Sequence, residues 1–274
     1  MSGSARSAGA NRYAQIIEQI FFAHYVPGSR EVVFEREDIE RAATALGIKL
    51  PKNLGDVIYS FRYRGTLPDT VRAEAPPGEE WIIRPAGRSR YAFVATTLTT
   101  IVPNPLLTEA KVPDATPGLI ALYALGDEQA LLAKLRYNRL IDTFTGVTCY
   151  SLQNHLRTTV AGLGQVETDE IYVGVDRRGA HYVFPVQAKG GSDTLNIVQI
   201  EQDFALCAAK FPRLICRPVG AQFISADLIA LFLFEQSSIG VTLSSERHYR
   251  LVPSGTLTPQ DLDLYKTRPD SPLP

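Results

Sequence analysis

Cysteine is scarce in this chain of 274 residues: Cys149, Cys207 and Cys216 are the only three. The number is odd and no CxxC spacing occurs, so neither a disulfide frame nor a cysteine-based zinc site is expected. They read as reduced core residues. The four histidines are scattered. No apolar run approaches the ~18 residues of a bilayer span, so no membrane partner is expected. There is no GxxxxGK(S/T) loop, no GxSxG elbow and no HExxH. These absences argue against P-loop nucleotide hydrolysis, an α/β-hydrolase serine and a zincin centre. The net charge is -1, so there is no global basic field, and any nucleic acid must be met by local positive charge. Residues 1–10 are small and polar and lack the apolar core of a signal peptide. They are expected to form a flexible tail on a cytoplasmic protein.

What is present is ordinary for a globular chain, with 45% hydrophobic and 21% charged residues and a length that fits two modest domains or one large one. Tyr13, Ile16, Ile17, Ile20, Phe21 and Tyr25 share one helical face over residues 11–26, and Pro27-Gly28 stops that helix. Residues 31–34 read as a short strand. A helix over 36–46 turns Ile39, Ala42, Ala43 and Leu46 inward, and another over 52–64 buries Leu54, Val57, Ile58 and Phe61. Residues 81–84 and 90–95 read as a hairpin.

Helix, strand, helix, turn, helix, hairpin resembles the order of a winged helix-turn-helix over residues 11–96. That resemblance implies a DNA-reading third helix and a wing along the backbone. The helix offers Lys52, Asn53, Ser60, Arg62, Tyr63 and Arg64; the wing offers Arg84, Arg88 and Arg90. Guanidinium and amide groups suit phosphates and base edges.

Residues 97–126 hold Pro103, Pro105, Pro113 and Pro117 and read as a linker or a segment wrapped on the surface. Helices are expected over 127–142 and 150–160. Two β-like runs, 165–176 and 181–190, meet at an Asp176–Gly179 turn. A helix over 195–210, further strands and a polar tail from Pro259 follow.

The two runs carry the chemistry. Side chains alternate along a strand, so Gln187 and Lys189 share a face, and a hairpin brings Asp169 to the same sheet end. An acid, an amide oxygen and a lysine in that arrangement can hold Mg²⁺ and activate a water. Glu170 points to the opposite face and competes with Asp169 as first ligand, as does Glu167. Gln199, Gln202 and Asp203 lie along one side of the next helix, and Gln153, His155 and Arg157 lie on the helix expected before the motif. Gln199 and His155 are the accessory candidates.

Over residues 150–235 this constellation resembles the PD-(D/E)xK nuclease superfamily, whose members carry an acid on one strand, (D/E)-x-K on the next, then a helix. Asp169 matches the acid and Lys189 the lysine. Gln187 departs from the usual carboxylate and offers a neutral oxygen. The resemblance implies an α+β or α/β nuclease domain over 127–274, built as a mixed sheet flanked by helices. It also implies Mg²⁺ with Mn²⁺ as a substitute, and the Ala188 carbonyl as a further ligand. A reader joined to such a domain looks like a type II restriction endonuclease, which implies double-stranded DNA as partner and a homodimer. A repair or junction-resolving nuclease, and a DNA-binding regulator with an inactive nuclease-like domain, are the alternatives.

Overall fold

The computed structural model describes residues 3–63, 65–97, 99–123, 128–190, 193–237 and 240–268, with side chains described from residue 12 onward except at 63. The chain divides into two compact units, 1–99 with 159–164, and 100–158 with 165–274. It is a mixed α+β protein whose large mixed sheet is flanked by helices.

The first unit runs α1 (Gly3–His24), β1 (Glu31–Glu35), α2 (Arg36–Ala45), α3 (Gly55–Tyr63), α4 (Asp69–Ala73), β2 (Glu80–Gly87) and β3 (Arg90–Thr96). Helix α1 begins within the segment expected to be a tail, because helical backbone extends back to Gly3. The strands pair antiparallel in the order β1-β3-β2. Ile16, Ile17, Ile20 and Phe21 of α1 pack against Phe34, Ile39, Val57, Ile58, Trp81, Ile83 and Phe93. The predicted helical face is therefore the core face. Helix α2 closes its own N-terminus: the Glu35 side chain accepts from the third-residue backbone, and Asp38 accepts from the Glu35 N–H at 2.7 Å.

The second unit, apart from the end of β6 and the first residue of β7, which fall in the first, runs β4 (Thr100–Ile101), β5 (Glu109–Pro113), α5 (Gly118–Tyr123), α6 (Glu128–Tyr137), α7 (Leu140–Thr145), β6 (Thr148–Val160), β7 (Gly164–Val175), β8 (His181–Lys189), β9 (Leu195–Asn196), α8 (Ile197–Lys210), β10 (Ile215–Cys216), β11 (Val219–Phe223), β12 (Leu228–Ser237), β13 (Gly240–Val252) and α9 (Pro259–Thr267). Among the described residues, eight of these strands form one sheet in the order β5-β13-β12-β11-β8-β7-β6, with β10 also on β8. β8 pairs antiparallel with β7 and parallel with β10 and β11, so α8 is the crossover between parallel neighbours. Leu131, Leu132, Leu135, Leu140 and Ile141 of α6 and α7 cover Tyr172, Phe184, Val186, Val219 and Leu231.

Four expectations are corrected. Residues 97–126 are not a bare linker: β5 pairs parallel with β13 from Glu109↔His248 to Pro113↔Val252. Residues 150–160 are strand, not helix. Leu152 and Leu156 have helical spacing, but the Thr158-Thr159-Val160 run is β-branched and prefers extended backbone. The single helix over 127–142 is two, broken where Arg139 takes a left-handed conformation (φ 50°). The tail from Pro259 contains α9, capped by Thr258 and tied down by the Asp261–Lys111 ion pair at 3.0 Å. No described helix is long and apolar enough to cross a membrane.

Gly174 lets β6 and β7 approach. A Cβ there would lie 2.7 Å from Val147 Cγ1 and 2.9 Å from the Thr148 carbonyl oxygen. Backbone cannot yield as a flexible side chain does, so Gly174→Ala is expected to cost about 1–3 kcal/mol by overpacking. A denaturant melt with an unchanged midpoint would refute this.

Candidate active site

The β7–β8 turn sets the register. The Asp176 carboxylate accepts from the Arg178 N–H at 2.8 Å and the Ala180 N–H at 2.9 Å, and Gly179 supplies the positive φ of 82°. Pairing then runs from Val175↔His181 to Glu170↔Val186. Asp169 lies beside the end of β8, and its Oδ2 accepts the Ala188 N–H at 2.8 Å. Thr168 donates its hydroxyl to the Val186 carbonyl at 3.2 Å.

Gln187 is 2% exposed and occupied at both ends of its amide. Its Nε2 donates to both oxygens of Asp203 at 3.1 Å and to the Glu167 carbonyl at 3.2 Å. Its Oε1 accepts from Gln199 Nε2 at 3.3 Å. Gln199 and Asp203 are four apart on α8 and so share a face. Asp203 is 1% exposed. Burial pushes it well above the usual carboxylate range; the Gln187 amide opposes this and the nearby Asp169 adds to it. Burial also pushes Asp169 up, against the Ala188 N–H and the Lys189 ammonium. Two desolvated carboxylates beside the half-buried Lys189 at the end of β8 form a hard-oxygen donor set that a divalent cation would relieve. In that sense the residues fit Mg²⁺.

Glu170 belongs to a different cluster. It is 0% exposed, and its Oε1 accepts from Arg136 Nε at 3.1 Å and from the Ser151 hydroxyl. Arg136 also reaches Asn154 Oδ1 at 3.3 Å. Glu167 is held by Arg157, at 3.0 Å through Nε and 2.6 Å through Nη2. The structure thus gathers Asp169, Gln187, Ala188, Lys189 and Gln199 at one sheet end and commits Glu170 to Arg136. His155 stands nearby on β6, its Nε2 2.9 Å from Gln129 Nε2. The residue with the deepest involvement beyond the motif is Asp203. Its position on a helix face beside the motif was visible in sequence, but its contact with Gln187 was not. Among the described residues, no group of three or more His, Cys, Asp or Glu side chains is arranged to hold a metal by itself.

The DNA-contact candidates of the first unit divide in two. Arg62 donates Nε to the Ile83 carbonyl at 3.2 Å and lies 5.6 Å from the Tyr91 ring centroid, so it serves as an internal brace. Asn53 caps α3, accepting from the Gly55 N–H at 3.1 Å and donating to Asp56 at 2.8 Å. Ser60 and Arg84 are half-buried, whereas Lys52, Arg88 and Arg90 are exposed. Arg88 and Arg90 flank Ser89, whose carbonyl accepts the Arg36 N–H at 2.8 Å and fixes the turn. Arg64 and the Tyr63 side chain lie outside the described residues. No family model matches the chain, and neither a curated protein nor a solved structure matches it.

Proposed function

We propose that the chain is a Mg²⁺-dependent DNA endonuclease of the type II restriction class, acting in the cytoplasm. The observation that carries the reading is the meeting of Asp169 on β7, Gln187 and Lys189 on β8, and the buried Asp203 on the helix that follows. This resembles the PD-(D/E)xK order of acid strand, x-K strand and helix, with an amide in the carboxylate's place. Asp169 is the proposed anchor for the cation, with the Ala188 carbonyl and the Gln187 and Asp203 oxygens beside it. Bound there, Mg²⁺ would make a water more acidic and offset charge on phosphoryl oxygens; Mn²⁺ shares the oxygen preference. Lys189 orients the attacking water and offsets charge on the phosphorane. Gln187 holds the Asp203 carboxylate through its amide nitrogen and keeps it facing Asp169.

The first unit is the proposed reader. Its element order and its β1-β3-β2 sheet support a winged helix. Arg88 and Arg90 are its proposed backbone contacts, since neither is turned inward as Arg62 is. Arg88→Ala with Arg90→Ala is expected to reduce the salt slope of DNA binding by about two units, about 0.9 per lost phosphate contact. Titration across salt in a cleavage-dead background measures this, and an unchanged slope would place the DNA elsewhere. Two strands need two centres, so the active form is proposed to be a homodimer.

Supercoiled plasmid with Mg²⁺ or EDTA tests the whole reading. Discrete Mg²⁺-dependent fragments support restriction. Nicking, or cutting only at junctions, supports a repair or junction-resolving nuclease. Binding without cleavage supports a regulator, a reading favoured by one observation: both ends of the Gln187 amide are already engaged.

A further inference from the structure

Among the described residues, positive φ outside glycine occurs at Ser89, Arg139 and His155. Ser89 turns the β2–β3 hairpin and Arg139 opens α7. His155 has no turn to make. It lies in the middle of β6, at φ 48°. Side-chain-bearing residues take this conformation at a cost, and such outliers gather at functional sites. Burial does not offset the cost, since the ring remains 55% exposed.

The kink brings the imidazole between the start of α6 and the start of β7. Gln129 Nε2 lies 2.9 Å from His155 Nε2. The amide can only donate there, which leaves the ring proton on Nδ1. Nδ1 is 3.8 Å from Glu167 Oε1, beyond hydrogen-bond distance. Glu167 itself is taken by Arg157. From Tyr150 to His155 every residue is exposed, where a strand backing a core would alternate. Around the kink stand the donors Gln129, His155 and Arg157, with Asn154 accepting from Arg136 and Glu167 accepting from Arg157. A partner strand is the poorer occupant of this edge, because a left-handed residue breaks the regular ladder that strand addition needs.

We propose that the kinked stretch of β6 is a second contact for the backbone of duplex DNA, with the His155 Nδ1–H donating to an oxygen of the phosphate next to the one attacked beside Lys189. This rests on the nuclease reading for the position of that attack. The left-handed backbone aims the ring, and the Gln129 amide selects the tautomer that carries its proton on Nδ1.

The test is duplex-DNA binding across salt in the Lys189→Ala chain, with and without His155→Gly. Glycine suits a positive φ, so the melting temperature is expected to rise by about 2–4 °C. The dissociation constant is expected to weaken by about tenfold. The salt slope is expected to fall by about one unit, and His155→Lys should restore it. Unchanged affinity and slope in His155→Gly would overturn the proposal. So would a lowered melting temperature with lost binding, since the ring would then be holding the strand. A parent chain that binds no duplex also overturns it. Cleavage by the chain with Lys189 intact is scored separately. Normal cutting with His155-independent binding retires this contact and keeps the nuclease; no cutting with His155-dependent binding retires the nuclease and keeps the contact.

Discussion

Lys189→Ala is expected to lower cleavage by at least about a thousandfold, about 4 kcal/mol of transition-state stabilisation, while leaving DNA affinity within about threefold. The lysine stands at the end of β8, half-buried, with its charge felt by both Asp169 and Asp203. A cation there acts on developing negative charge more than on the ground state, so the loss should appear in the turnover rate. Removing it leaves two desolvated carboxylates without their nearest ammonium, so a modest fall in stability should accompany the loss. Single-turnover cleavage with saturating enzyme separates the two effects. A near-parental rate in a folded Lys189→Ala chain would remove the lysine from the chemistry.

Asp169→Asn is expected to abolish Mg²⁺-dependent cutting without unfolding the protein. Burial raises the pKa of Asp169 in the folded chain, so the folded state holds that proton more tightly than the unfolded state. Stability from this group is therefore lost as pH rises through the range from the ordinary carboxylate value to the raised one. Above that range the charge is a burden, and the amide should melt at or above the parental temperature. Glu170→Gln should behave oppositely. It removes the fully buried partner of Arg136 and leaves a guanidinium facing an amide, so it should lower the melting temperature and leave the chemistry in place. Thermal melts beside plasmid cleavage read both variants. Normal cutting by Asp169→Asn together with loss of cutting by Glu170→Gln would exchange the roles of the two acids.

Local patterns carried much of this molecule into view. The period-two alternation and the Asp176–Gly179 turn were enough to set Asp169 near Gln187 and Lys189, because a short hairpin leaves little freedom of register. The helical face of Ile16, Ile17, Ile20 and Phe21 was equally plain. What stayed hidden depends on partners distant in sequence. Asp169 and Glu170 looked alike because the residues that claim Glu170, Arg136 and Ser151, are 34 and 19 positions away. β5 looked like linker because its ladder is made with β13, near the other end of the chain. β6 reads as helix from its own residues, and pairing with β7 decides for strand. Gln187 looked like a weakened ligand. Its position on Asp203 gives the amide a different use: a carboxylate there would face another carboxylate at about the same spacing, with the repulsion of two buried anions.

The pairing of β5 with β13 also governs how the second unit can be isolated. A fragment begun near residue 127 would lose β5 and bare the backbone donors and acceptors of β13 from His248 to Val252. An unpaired sheet edge is a template for other chains, so such a fragment should self-associate or precipitate whatever the state of its centre. Begun at Thr100, the fragment keeps the edge covered and retains Lys111 as the anchor for α9.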